Sequence, residues 1–167
     1  MSLDSILSQI SHLEDEEESA VKLDPVISFK LGEQLFAVGI EDVREVIKCP
    51  EITRIALVPK HILGLVNVRG NVYVVGDFAH WLDLGKVDTS SIFLIIVEAE
   101  NVSVALAVSQ VPNTIHVDLS AIQNAGGLIT GKNEVQKYFS GVLNHEKELI
   151  TFLDIQGLVC NESFAIG

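Results

Sequence analysis

The stretch Gly126-Gly127-Leu128-Ile129-Thr130-Gly131-Lys132 spells G-x-x-x-x-G-K, the pattern of a loop that cradles phosphates. In that chemistry backbone N–H groups surround the phosphates, the lysine neutralises them, and a following Ser or Thr hydroxyl holds the metal. A strand must enter the loop and a helix N-terminus must leave it. Here Asn133 follows the lysine, and Leu119–Asn124 reads as a helical piece rather than a strand. An apolar run ending in Asp154 imitates the second motif of such sites. A nucleotide- or small-molecule-binding enzyme using Gly126–Lys132 is therefore an alternative that lacks two of its required parts.

The other reactive side chains are scattered. His12, His61, His80, His116 and His145 show neither H-x-x-x-H nor H-E-x-x-H spacing, and Cys49 and Cys160 lie far apart, so no metal site is expected. The two cysteines read as reduced, packed thiols. Asp77 and His80 share a helical face, and Asp77 reads as the N-cap of a short helix rather than as a ligand. Asp154, ahead of a last helical piece, is read as structural in the same way. No G-x-S-x-G turn is present. Catalysis and cofactors are not expected.

Charge narrows the field further. The formal net charge is −12, which opposes nucleic-acid binding through phosphates, because that needs clustered Lys and Arg. Half of it sits in residues 1–24, where Asp4, Glu14, Asp15, Glu16, Glu17, Glu18 and Asp24 face only Lys22. Within this acidic N-terminal extension, Leu3, Ile6, Leu7, Ile10 and Leu13 fall on one helical face, the pattern of a short amphipathic helix over 3–14 that docks on a partner or packs on its own body, the alternative being a frayed arm. No apolar run approaches the roughly 20 residues of a membrane span, and the N-terminus lacks a basic-then-apolar layout. The chain is expected in the cytoplasm, without direct membrane insertion.

The elements that must position any site begin at residue 25. Short β-prone runs are predicted at Val26–Leu31, Gln34–Ile40, Ile52–Leu57, Leu65–Val68, Val72–Gly76, Ile92–Glu98, Val102–Val108, Thr114–Val117, Gln136–Leu143 and Leu149–Leu153. Helical pieces are expected only near Pro59–Leu63, Phe78–Leu82, Leu119–Asn124 and Asp154–Val159, and Ala125–Glu134 reads as a loop. Strands at this spacing suggest an all-β fold of closed barrels, with residues 25–167 as one domain of two subdomains. The tight Arg69-Gly70-Asn71 turn carries a cation whose opposite charges lie upstream in Glu41, Asp42 and Glu45. A pair between them, of one or two hydrogen bonds, would set the register of the two segments.

The segment Ile52-Thr53-Arg54-Ile55 through Gly64-Leu65-Val66-Asn67-Val68-Arg69-Gly70 to Asp77 resembles the CheW-like coupling family. Phe29 to Val38, Val43–Val46, Phe139-Ser140-Gly141-Val142 and Leu153-Asp154-Ile155 extend the likeness from about Val26 to Val159. Asn67-Val68-Arg69-Gly70 and Phe78–Leu82 also resemble coupling proteins of type IV pilus (twitching) chemosensory systems. What the resemblance implies is two intertwined five-stranded SH3-like barrels that catalyse nothing. It implies an adaptor between the cytoplasmic tip of methyl-accepting chemoreceptors and the regulatory domain of a CheA-type histidine kinase, recruited to membrane-associated receptor arrays. It places Val43, Glu45, Ile47, Asn67, Val68, Arg69 and Gly70 in or beside the partner-binding surfaces, with Glu45 and Arg69 paired. A β-barrel scaffold for some other multiprotein assembly would share the fold.

Overall fold

Alternation of apolar and polar residues breaks down in Phe93–Val97 and Val104–Val108, where nearly every side chain is buried, as expected for strands covered on both faces. In the computed structural model, which describes residues 21–88, 90–124 and 138–160 together with Leu3 and Ser5, these runs form the central hairpin. Ten strands are present among the described residues: β1 (Asp24–Leu31), β2 (Gln34–Gly39), β3 (Val43–Lys48), β4 (Ile62–Val68), β5 (Asn71–Asp77), β6 (Phe93–Ala99), β7 (Val102–Val108), β8 (Asn113–Val117), β9 (Phe139–His145) and β10 (Glu148–Leu153). Among the described residues, helices lie at Phe78–Trp81 and Ile155–Val159, Leu3 and Ser5 are also helical, and 3-10 turns lie at Ile40–Asp42 and Leu119–Ala121. The fold is all-β with a few short helices.

The strands form two five-stranded sheets, ordered β8-β1-β2-β10-β9 and β3-β6-β7-β5-β4. Each repeats one plan. A hairpin (β1–β2 or β6–β7) is flanked on one side by an antiparallel strand and on the other by a parallel strand that begins a second antiparallel pair. Each sheet curls into a small SH3-like barrel, here barrel A and barrel B. Barrel B is continuous in sequence, whereas barrel A takes strands from both sides of it, so the two are intertwined. Key residues recur at one constant spacing: Gly64 and Gly141, Asn67 and Asn144, Asp77 and Asp154.

Three apolar clusters follow from this plan. Val66, Leu94, Ile96 and Ala105 fill barrel B; Val26, Ala37, Leu143 and Ile150 fill barrel A. The largest, built on Phe29, Phe36, Phe78, Ile95, Leu106 and Leu158, joins the barrels, so the opposite faces of β6 and β7 serve different cores.

Several expectations need correction. Ile52–Leu57 is not a strand; it contributes a single bridge, Thr53 to Leu65, and Leu57 is fully exposed at φ 62°. β3 is the strand the sequence reading omitted. Pro59–Leu63 is a turn running straight into β4, with Ile62 N bonded to Pro59 O. The cysteines are free, but only Cys49 is half-buried and Cys160 is exposed. Gly126–Lys132 and all but two residues of the 3–14 segment lie outside the described residues; Leu3 and Ser5 are helical.

Candidate functional site

The hairpin joining β4 to β5 has a two-residue loop, since Val68 pairs with Asn71. Arg69 and Gly70 both take positive φ, 53° and 85°, the backbone of a type I′ turn whose twist matches the strands it joins. Glycine accepts that conformation freely, whereas arginine does so at a cost of about 1–2 kcal/mol. Asn67 helps to hold it, its side-chain oxygen accepting from Gly70 N at 3.0 Å.

This turn aims Arg69 at β3. In the sheet order β3 and β4 are opposite edges, so contact between them crosses the seam where barrel B closes. Arg69 Nη1 donates to Glu45 Oε2 at 2.8 Å, a short, charge-assisted bond. It is one bond rather than two, because Glu45 Oε1 is buried with no hydrogen-bond partner. The arginine side chain is 78% exposed and the glutamate 24%, so the guanidinium keeps most of its donors toward solvent. A pair this exposed contributes roughly 0–1 kcal/mol to folding.

Along β3 the side chains alternate. Val43, Glu45 and Ile47 are half-buried; Arg44, Val46 and Lys48 face outward. Val43 packs against the core between the barrels and Ile47 against the core of barrel B. Val68 is buried, while Asn67, Arg69 and Gly70 are exposed at the turn. The structure thus brings Glu45 and Arg69 together and sets Val43, Ile47 and Val68 beneath them. Glu41 and Asp42 are placed elsewhere, in the 3-10 turn beside a 380 Å³ pocket also lined by Asp24 and Asp154. There burial, and then the neighbouring charges of Glu41 and Asp154, hold the Asp42 carboxyl above the usual carboxylate range.

The two remaining aspartates cap helices. Asp77 is 3% exposed; its Oδ1 accepts from His80 N and its Oδ2 from Val87 N, both at 3.1 Å. Asp154 is exposed and accepts from Gly157 N at 3.2 Å. The chain approaching residue 125 is the 3-10 turn at Leu119–Ala121 and a lone bridge from Gln123 to Val142, not the strand a phosphate loop requires. Among the described residues, no group of three or more His, Cys, Asp or Glu side chains is arranged to hold a metal ion.

Sequence reasoning passed over a second feature, a 570 Å³ groove at the end of β3 with Lys48, Arg54 and Lys60 at its rim. Its signal was the run of bases from Arg44 to Lys60 in an otherwise acidic chain.

Residues 25–162 match the sequence model of the CheW-like domain. The chain belongs to that family. It is 28% identical over 135 residues to the probable chemotaxis protein CheW of Rhizobium etli, across 80% of this chain and 85% of that one. It is 24% identical over 140 residues to the chemotaxis protein CheW of Thermotoga maritima, across 84% and 90%. The crystal structure of the scaffolding protein TtCheW from Thermoanaerobacter tengcongensis superposes with a TM-score of 0.73 at 25% identity, covering 89% of this chain and 92% of that one. CheW-like architecture therefore spans both barrels, including the β3 edge and the Arg69 turn. Among the described residues, no helix is long and apolar enough to cross a membrane.

Proposed function

We propose that this chain is a non-catalytic coupling adaptor, joining the cytoplasmic tip of a methyl-accepting chemoreceptor to the regulatory domain of a CheA-type histidine kinase at a receptor array in the cytoplasm. The observation that carries the reading is the Arg69 guanidinium, presented by a strained turn and tethered by one bond to Glu45 across the seam of barrel B. A charge held in place yet left largely in solvent adds little to folding but orients donors for an incoming surface. The chemotaxis and scaffolding names of its relatives support the same reading. Val43, Glu45, Ile47, Asn67, Val68, Arg69 and Gly70 form the proposed contact region, the exposed turn meeting the partner and the half-buried β3 residues fixing its shape.

The test is capture of the chain by purified kinase and by receptor tip. Arg69→Glu or Glu45→Arg is expected to weaken capture by about tenfold or more, since a reversed charge at an interface opposes association. Circular dichroism and the melting temperature should stay near those of the parent. The double reversal, which rebuilds an ion pair, should recover only part of the binding. Undiminished capture by both single variants would sink the assignment, and unfolding of either would make the pair structural.

A further inference from the structure

The connection from β3 to β4 walls the 570 Å³ groove that carries Lys48, Arg54 and Lys60 at its rim. All three are exposed, and among the described residues none of them takes part in an ion pair. The one acid in the lining is Glu51, and the wall between the cations is apolar, formed by Ile52, Ile55 and Leu63. Between Ile55 and Lys60 the same loop holds Leu57 fully in solvent at φ 62°, a left-handed backbone that only glycine, asparagine and aspartate visit routinely. An apolar side chain kept in water on a strained backbone is the mark of a contact made by another molecule. Unpaired cations around an apolar trough ask for an occupant with an apolar face and a block of negative charge.

Charge and shape narrow that occupant. A small anionic ligand needs donors converging inside a cavity, but here the cations stand on the rim and Ser90 spends its N–H and its hydroxyl on Asp88, at 2.9 and 2.7 Å. An anionic membrane or a nucleic acid would meet the field of the whole chain, net −12, rather than three cations. A second copy offers its acids at Asp24, Glu41, Asp42 and Asp154, which line a pocket of their own, and two concave faces do not interlock. An added strand finds no free backbone beside the groove, because Leu65 of β4 already exchanges two 2.8 Å bonds with Thr53. What the groove offers is side chains, the means by which a helix is held. We propose that it is a docking site for an acidic amphipathic helix of another protein, with carboxylates on Lys48, Arg54 and Lys60 and an apolar face on Ile52, Ile55, Leu63 and Leu57. This surface goes beyond the adaptor reading and is separate from the Arg69 turn: Leu63 and Arg69 lie at opposite ends of β4, about 20 Å apart along the strand.

The experiment uses the full chain without kinase or receptor, so its outcome is independent of the adaptor reading. The probe is a fluorescein-labelled peptide of about five helical turns, leucine on one face and glutamate on the other, titrated by fluorescence anisotropy. Saturable binding is expected, weakened about tenfold by Arg54→Glu, by glutamine in place of the peptide's glutamates, and by 1 M salt, where the screening length falls to about 3 Å. Lys48→Gln with Lys60→Gln, two exposed changes, repeats the test without reversing a charge. Leu57→Asn suits the left-handed backbone but removes the apolar contact, so it should keep or raise the melting temperature while lowering affinity about fivefold. Arg69→Glu should change affinity by less than about twofold, since it lies beyond one screening length of the groove. Absence of saturable binding, or indifference to both Arg54→Glu and Leu57→Asn, would overturn the proposal, and loss on Arg69→Glu would move the site to the turn. Equal binding to phosphatidylserine vesicles, lost in the same variants, would overturn it in favour of a lipid surface. Oligomers of the chain alone in sedimentation that dissociate on Arg54→Glu would overturn it in favour of a second copy.

Discussion

Asp77 and Asp154 hold the same place in the two halves of the fold, each closing a parallel strand and capping the helix that follows, yet they differ in burial. Replacing each with alanine measures what burial adds to one chemical role. Asp154→Ala removes one solvent-exposed bond to Gly157 N, an ordinary cap worth about 0.5–2 kcal/mol. Asp77→Ala removes a similar cap bond to His80 N and also strands Val87 N, whose bond to Oδ2 is buried. An unsatisfied buried donor adds about 1–3 kcal/mol, so the expected total is roughly 2–5 kcal/mol. In a domain of this size that lowers the melting temperature by about 2–4 °C per kcal/mol. Urea titrations of both variants supply the comparison, read by far-UV circular dichroism and by the fluorescence of the chain's one tryptophan, Trp81, which ends the helix that Asp77 caps. Asp77→Asn should fall between, because it keeps an acceptor for one N–H but turns an NH₂ toward the other. Equal costs for the two alanine variants, or a cost below about 1 kcal/mol for Asp77→Ala, would refute the claim that the buried second bond matters.

Two further outcomes follow from local geometry. Gly64 sits at φ 146° against the backbone of Thr53, so Gly64→Ala should destabilise the chain by about 2 kcal/mol or more in denaturant titration; Gly70→Ala, at φ 85° in open space, should cost only about 1 kcal/mol. Asp42, whose carboxyl is raised by burial and by Glu41 and Asp154, is ionised at a cost to the folded state. That cost is absent below the unfolded carboxylate's ordinary range and complete above the raised folded value, so stability falls as pH rises through this acidic window. Asp42→Asn should flatten that part of the curve and raise stability at neutral pH relative to the parent, as melting temperatures from pH 3 to 7 will show.

Much of the fold was legible because the β hairpins carry strong local signals. Gly32-Glu33 and Glu100-Asn101 lie between alternating or apolar runs, and each is a two-residue turn in the structure. β3 was not legible as a strand. Val43-Arg44-Glu45-Val46-Ile47-Lys48 is an edge with charge on both faces, half-buried at best, so its alternation carries no clear apolar face. The converse error came at Ile52–Leu57, whose β-branched residues pair only at Thr53, because Gly64 lets the two backbones approach at one point and Leu57 then turns left-handed. Charge complementarity alone offered Arg69 three acids, Glu41, Asp42 and Glu45, and only the family resemblance singled out Glu45, the one it meets. The single-bond geometry of that pair was not legible, since it depends on how far the closing edges of barrel B stand apart. The basic groove escaped notice because Lys48, Arg54 and Lys60 belong to different local elements and converge only in three dimensions.

The interleaving of the barrels also bears on how the chain comes together during synthesis. Barrel B's strands emerge in one unbroken run and can pair as soon as β7 is out. β2 must wait for β10, its parallel neighbour, across a loop of roughly a hundred residues whose direct closure costs about 4 kcal/mol. Prior formation of barrel B shortens that loop, since it brings the two connections to barrel A onto one small body. Until β10 arrives, one side of β2 is an open edge of the kind that recruits stray strands. Late assembly of barrel A is then the step at which a nascent chain is most open to mispairing, and loss of β10 would leave the β1–β2 hairpin without its closing partner.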